Sequence, residues 1–256
     1  MIMQILFSFI FIWIYMSIVY FIAIKKDDLS IIDIAYGPGF VVAGLAQLIF
    51  SDGVGIHFIA AFVLISLWAL RLALQIGIRK IGKGEDYRYT KMRKDFGTNW
   101  KLVSYVKVFL FQGLLILIIE SPLFVASLTS TGSLGLLSII GIILWIWGFF
   151  WETVGDIQKY NFKKAGKKGI IQTGLWKYTR HPNYYGEITM WWAIFLIVLE
   201  VPFGWVSVIS PILITTLLIT FSGIPLLEQK YENNPEFQKY KKKTSVLIPW
   251  FPKKGE

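Results

Sequence analysis

Seven apolar runs organise this chain, at about 3–24, 31–50, 56–78, 104–127, 133–153, 187–200 and 205–227. A helix needs roughly 17–25 predominantly apolar residues to cross the hydrocarbon core of a bilayer, and of the seven runs only 187–200 is short of that. Hydrophobic residues make up 55% of the chain and its mean hydropathy is +0.58, well above a soluble domain of this length. The fold class expected is therefore all-α, a polytopic membrane bundle of seven transmembrane helices forming one integral membrane domain over 1–256. The first run has no basic segment before it and is followed by Lys25 and Lys26, so a cleaved signal peptide is not expected.

The lysines and arginines orient the bundle. They crowd the connections at 25–30, 79–103 and 154–186 and the tail from 228, whereas 51–55, 128–132 and 201–204 hold none. Of the 26 Lys and Arg residues only Arg71 lies well inside an apolar run. Basic connections stay in the cytoplasm, which predicts the N-terminus outside, the C-terminus inside, and a site mouth facing the cytoplasm.

Other features narrow the chemistry. The chain has no cysteine, which excludes disulfides, thiolate metal sites and a cysteine nucleophile. Its two histidines, His57 and His181, are too few for a histidine-rich metal site, and no metal is expected. The connections are too short to bury cores of their own, so any chemistry belongs to the bundle or its cytoplasmic mouth. The glycines of "YGPGFVVAG" (Tyr36–Gly44) lack the spacing and preceding strand of a dinucleotide fingerprint, and read as close helix packing around a kink at Pro38.

Polar residues inside or beside the apolar runs mark the candidate site. "KYTRHPNYYGE" (177–187) packs Arg180, His181, Asn183 and Glu187 ahead of an oily segment. Pro182 suits the first turn of a helix, and a helix from there aligns Asn183, Glu187 and Trp191 on one face. An ionisable group at membrane depth is expensive and should face a polar cavity. A helix N-terminus with Lys177 and Arg180 beside it suits an anion; as interfacial anchors, Lys177, Arg180, Tyr184 and Tyr185 would snorkel among headgroups instead. In "WETVGDIQKYNFKKAGKK", Glu152 and Asp156 stand four residues apart and repel unless donors lie between them, while Lys159, Lys163 and Lys164 follow. That order suits a ligand with hydroxyls at one end and phosphates at the other. Arg71 either snorkels or pairs with a carboxylate such as Asp33, Glu152 or Asp156. Asp33 and Tyr36 share a helix face, as a cap and interfacial aromatic or as a hydrogen-bonding pair reaching into the bundle. Glu85, Asp86, Arg88, Tyr89 and Arg93 read as a solvated loop with internal ion pairs or as a lid over a cofactor. In the tail, Tyr240 with Lys241, Lys242 and Lys243 is placed to cover an anion or to lie on acidic lipid, and "SVLIPWFP" is an apolar hook that returns to the bundle or membrane surface.

The segments "GDIQKYNFKK", "GLWKYTRHPNYYGE" and "YKKKTSVLIPWFPKK", with the "GKGEDYRY" loop, resemble the membrane family of steroid 5-alpha reductases and their DUF1295-type bacterial relatives. The reductase-like half is about 104–256. The resemblance implies NADPH held inside the helix bundle and reduction of a carbon–carbon double bond conjugated to a carbonyl in a lipid-like, steroid- or isoprenoid-like substrate. Carried over by motif, Glu152, Asp156, Lys163, Asn183 and Glu187 would bind the cofactor, joined by Arg180, His181, Arg71 and Tyr240. Arg71 resembles the arginine that follows the steroid enzymes' catalytic tyrosine by three, but Trp68 stands at that tyrosine's position here, and the Gln–Glu pair of the second span is missing. Tyr36 is then the candidate donor that stabilises the enolate, with Asp33 as its partner and Trp68 as a pocket wall.

"RHPNYYG" also resembles the isoprenylcysteine and phospholipid methyltransferases, which use S-adenosylmethionine and typically carry a double Glu after the last span; this chain has only Glu228 in "LLEQ". A non-catalytic lipid-binding protein would not need Arg71, Glu152, Asp156 and Glu187 within its spans. The partners expected are a lipophilic small molecule and membrane lipid, with no nucleic acid.

Overall fold

A computed structural model describes residues 2–129, 132–221 and 223–253. The gap at 130–131 falls in the connection at 128–132, and residue 222 in the run at 205–227; both lie outside the described residues. The apolar runs are predominantly helical, and the described residues hold no strand and one isolated bridge, Thr179 to Ser245. Helices α1 (Ile2–Lys25), α2 (Ile31–Ile49) and α3 (Ile56–Lys80) follow the first three runs closely.

The fourth run departs from the expectation in two ways. The charged stretch before it is a helix, α4 (Tyr87–Phe96), because Asp86 caps it by accepting the Arg88 N–H at 3.0 Å. Gly97, at φ +60°, then ends it in a backbone region that favours glycine. The chain continues through a 3₁₀ turn, α5 (Trp100–Ser104), a π-helical segment (Tyr105–Leu110) and α6 (Phe111–Ile119). At Glu120 the run breaks, and α7 (Ser121–Ala126) carries Pro122 in its first turn, a residue with no N–H to continue the ladder.

The later helices are α8 (Leu136–Lys164), α9 (Pro182–Val198), α10 (Ile209–Thr216), α11 (Ile224–Gln229) and α12 (Pro235–Lys243). Among the described residues six stretches are long and apolar enough to cross a membrane: Met3–Lys25, Ile31–Ile49, Ile56–Lys80, Tyr87–Ile119, Leu136–Lys164 and Gly204–Gln229. The seventh candidate, 187–200, lies in α9, whose 17 residues rise only about 26 Å at 1.5 Å each, short of a core of about 30 Å. By the same measure the 29 residues of α8 rise about 43 Å.

The contacts divide the chain into two compact units. The first comprises Met1–Gly135 with Ile197–Ser210, the second Leu136–Leu196 with Pro211–Glu256. In the first unit the glycines of α2 pack as expected. A Cβ on Gly37 would fall 2.6 Å from the Ala69 carbonyl oxygen, and one on Gly44 2.5 Å from the Phe62 ring. The charges of 27–93 pair internally. Arg93 bridges Asp27 at 2.5 Å and Glu85 at 2.9 Å, and Lys80 reaches Asp28 at 2.6 Å. This bears out the ion pairs expected there, on a helix rather than a loop.

In the second unit α12 starts at Asn234, whose side chain accepts the Glu236 and Phe237 N–H groups. It buries Phe237 and Tyr240. The hook beyond it returns by backbone, with Trp250 N–H donating to the Tyr178 carbonyl at 2.9 Å. Ile248, Trp250 and Phe251 remain exposed, an arrangement suited to a membrane surface.

Candidate cofactor site

Two helices of the second unit meet backbone to backbone. A Cβ on Gly186 of α9 would fall 2.4 Å from the Gly148 carbonyl oxygen and 2.5 Å from the Glu152 nitrogen of α8. Only glycine permits that approach. One turn on, Gly155 faces Pro182 at 3.1 Å and the Asn183 nitrogen at 3.4 Å from the same notional Cβ. The crossing sets Glu152, only 2% exposed, and Asp156, 7% exposed, beside the first turns of α9. Pro182 does open that helix, and Tyr185 N–H closes its first turn on the His181 carbonyl at 3.0 Å.

The connection into α9 is held from both sides. Trp176 Nε1 donates to the Gly155 carbonyl at 3.0 Å, and the Leu175 N–H donates to Gln158 Oε1 at 3.0 Å. Gly174 makes this possible. Its φ is +62°, and a Cβ there would strike the Gln158 amide at 2.5 Å. The tail closes over the same connection. The Tyr240 hydroxyl donates to the Trp176 carbonyl, and burial raises the pKa of that hydroxyl. Arg180 N–H donates to the Ser245 carbonyl at 2.9 Å.

Glu228 is the hub of the site. Its Oε1 accepts from Arg180 Nε at 2.8 Å and from His181 Nε2 at 3.1 Å, and Lys241 Nζ lies 3.4 Å from Oε2. Arg180 is spent within the protein. Its Nη1 also donates to the Thr244 carbonyl at 2.6 Å and the Lys241 carbonyl at 3.2 Å. The role expected of Arg180, a charge offered to an incoming anion, therefore becomes one of anchoring the tail to the start of α9. Sequence reasoning names Glu228 in the comparison with the methyltransferases and not among the site residues. Its signal is a lone carboxylate directly following the last apolar run.

His181 fixes a hydrogen-bond direction. A carboxylate only accepts, so Nε2 carries the proton given to Glu228. Burial, opposed by Glu228 and reinforced by Lys159 and Arg180, holds the ring below its usual pKa and so neutral. Nδ1 is then a lone-pair acceptor, buried and with no protein partner among the described residues, as is Asn183 Oδ1. Tyr184 stacks on the His181 ring at 5.5 Å. Glu187 sits half-buried on the second turn, and Lys163 is exposed at the end of α8.

The remaining candidates belong to the first unit. Arg71 Nη1 donates to Gln75 Oε1 at 2.8 Å. Asp33 accepts from the Tyr89 hydroxyl at 2.5 Å and from Arg88 Nη2 at 2.8 Å. Both Asp33 oxygens are thus engaged by α4, which sequence reasoning treated as a loop. Tyr36 packs edge-on against Phe40 at 5.3 Å, and Phe40 packs likewise on Trp68.

The sequence matches, over residues 19–244, a family described as protein of unknown function, DUF1295. The chain belongs to the DUF1295 family of steroid 5-alpha reductase-like proteins. The match takes in both units and every candidate residue above. The chain is also similar to an uncharacterised protein, C594.04c, of the fission yeast Schizosaccharomyces pombe, at 25% identity over 187 residues. That stretch is 63% of this chain and 51% of the yeast protein, so the chain spans about half the length of that relative. No solved structure matches.

Proposed function

We propose that this DUF1295 protein is an NADPH-dependent membrane reductase. Its substrate would be lipid-like, steroid- or isoprenoid-like, with a carbon–carbon double bond conjugated to a carbonyl. The observation that carries this reading is the set of acceptors gathered where α8 meets α9. Among the described residues His181 Nδ1 and Asn183 Oδ1 are buried without protein partners, beside the buried carboxyls of Glu152 and Asp156. Acceptors so placed suit a ligand rich in N–H and O–H donors, such as a carboxamide and ribose hydroxyls, and the lysines at 159, 163 and 241 suit its phosphates.

NADPH, when bound, supplies the hydride for the β carbon of the conjugated double bond. The chain's own groups do the rest. Glu152 and Asp156 orient the donor edge of the ligand, Asn183 and His181 hold another, and Glu228 keeps His181 in the tautomer that accepts. Tyr36 is the candidate hydroxyl that donates to the developing enolate oxygen. Asp33, committed to Tyr89 and Arg88, positions α4 against α2 instead of serving Tyr36. The apolar helices exclude water from the reacting groups. With basic connections inside, the site opens to the cytoplasm and the N-terminus lies outside.

The test is titration of the purified protein in detergent with NADPH, NADH and S-adenosylmethionine. NADPH should bind more tightly than NADH. Asp156→Ala or Asn183→Ala should weaken it about tenfold or more, since a hydrogen bond to a charged group contributes about 1.5–3 kcal/mol. Stabilisation by S-adenosylmethionine alone would replace this reading with a methyltransferase.

A further inference from the structure

The first unit holds a second polar cluster, at the end of its helices away from the lysine-rich connections. Ser8 of α1, Gln47 of α2 and Glu120 between α6 and α7 are each 0% exposed. Ser8 Oγ, both amide atoms of Gln47 and both carboxyl oxygens of Glu120 are buried with no protein partner among the described residues. Buried polar groups are nearly always paired, so an orphaned set calls for an occupant.

Neighbouring contacts fix the depth of the three residues. Phe50 stacks on Phe7 at 3.8 Å and meets Phe11 at 5.8 Å, which sets Ser8 beside the turn of α2 that carries Gln47. A Cβ on Gly39 would fall 2.5 Å from Ile116 Cδ1 and 3.5 Å from Met16 Cε, and one on Gly44 would fall 3.1 Å from Leu123 Cδ1. The chain from α6 into α7 therefore runs alongside α2 in the same direction. Glu120 lies between those two levels, about 7–8 Å along the axis from Gln47, within reach of the long glutamine and glutamate side chains.

We propose that Ser8, Gln47 and Glu120 form an internal site for a small monovalent cation, a proton or sodium, with the Glu120 carboxyl as its anionic half. Among the described residues no side chain supplies the missing positive charge. The segments 2–24, 31–50 and 111–127 contain no lysine or arginine. On α3, which packs against α2 and α7, Arg71, Arg79 and Lys80 sit toward the opposite end. His57, at the near end of α3, is engaged by Glu200 at 3.3 Å. An isolated carboxylate in an apolar surround takes up a proton or a counterion. The oxygens offered, two carboxyl, one amide and one hydroxyl, are hard ligands suited to a proton or an alkali ion. One formal negative charge balances one positive charge, whereas a divalent ion would leave an excess charge buried.

The test is site-mapped carbodiimide modification of the full-length protein in detergent. Dicyclohexylcarbodiimide is neutral and apolar. The carboxylic O–H adds across its C=N bond, and the O-acylisourea formed rearranges to a stable N-acylurea that mass spectrometry locates. In choline chloride Glu120 should be modified. Sodium at about ten times its Kd should cut that modification about tenfold if sodium is the occupant; equal modification in the two salts assigns the proton. Gln47→Leu should abolish sodium protection in the first case. In the second it should raise the modification rate severalfold, because it frees the carboxyl from the amide. No modification of Glu120 in either salt, with Glu120→Gln melting at the wild-type temperature, overturns the proposal. So does a Gln47→Leu variant indistinguishable from wild type.

Discussion

Arg180 Nε lies 2.8 Å from Glu228 Oε1, and the same oxygen accepts from His181 Nε2 at 3.1 Å. One carboxylate thereby ties the entry of α9 to α11, and the Arg180 guanidinium extends the tie to the carbonyls of Lys241 and Thr244.

The first prediction concerns that tie. Arg180 is 8% exposed, so Glu228→Ala leaves a buried guanidinium without its counter-charge. Breaking a buried pair by removing one partner is typically destabilising by about 3–5 kcal/mol. Thermal unfolding in detergent should show a clear drop in the midpoint, and protease should cut the tail of the variant sooner. An unchanged midpoint and unchanged cleavage would show that the carbonyl contacts suffice.

Asp33→Ala should destabilise the first unit through Tyr89 more than through Arg88. The Tyr89 side chain is buried and loses a 2.5 Å hydrogen bond to a carboxylate, a contact of about 1.5–3 kcal/mol. The Arg88 side chain is 45% exposed, and a pair in that setting contributes only about 0–1 kcal/mol. Tyr89→Phe should therefore recover most of the Asp33→Ala loss, and Arg88→Ala little of it. The reverse ranking in unfolding midpoints would contradict the hydrogen-bond assignment.

Stability should fall with acid through His181. Its folded pKa lies below the ordinary value of about 6.5. Between those two values the unfolded chain binds the proton and the folded chain does not, so stability rises with pH there. The contribution is complete above about pH 6.5 and is lost as pH falls through the folded pKa. Unfolding midpoints measured across that window should decline for the wild type and flatten for His181→Gln. Equal slopes would remove His181 as the titrating group.

Orientation is testable because the chain has no cysteine to interfere. A cysteine at Ser51 should react with an impermeant maleimide in intact cells, and one at the exposed Thr173 only after permeabilisation. Reversed labelling would end the argument from charge placement.

The sequence by itself determined the helical membrane class and the choice of Glu152, Asp156 and Asn183 as candidates. Hydropathy is a local property, read within one run of residues, and a carboxyl in an apolar run is conspicuous without any partner in view. The helical start at Pro182 was legible for the same reason, since proline acts on its own backbone. What only the tertiary structure decided were the partnerships. Arg180 and Glu228 stand 48 residues apart, and Tyr89 and Asp33 stand 56 apart. Which cation meets which carboxylate across such distances depends on how helices cross, and at α8 and α9 that crossing is set by backbone contact at Gly148 and Gly186. The lone pair left on His181 Nδ1 and the orphaned pair Gln47 and Glu120 follow from the same cause: a side chain's free hydrogen-bonding capacity is what remains after its distant neighbours have been satisfied.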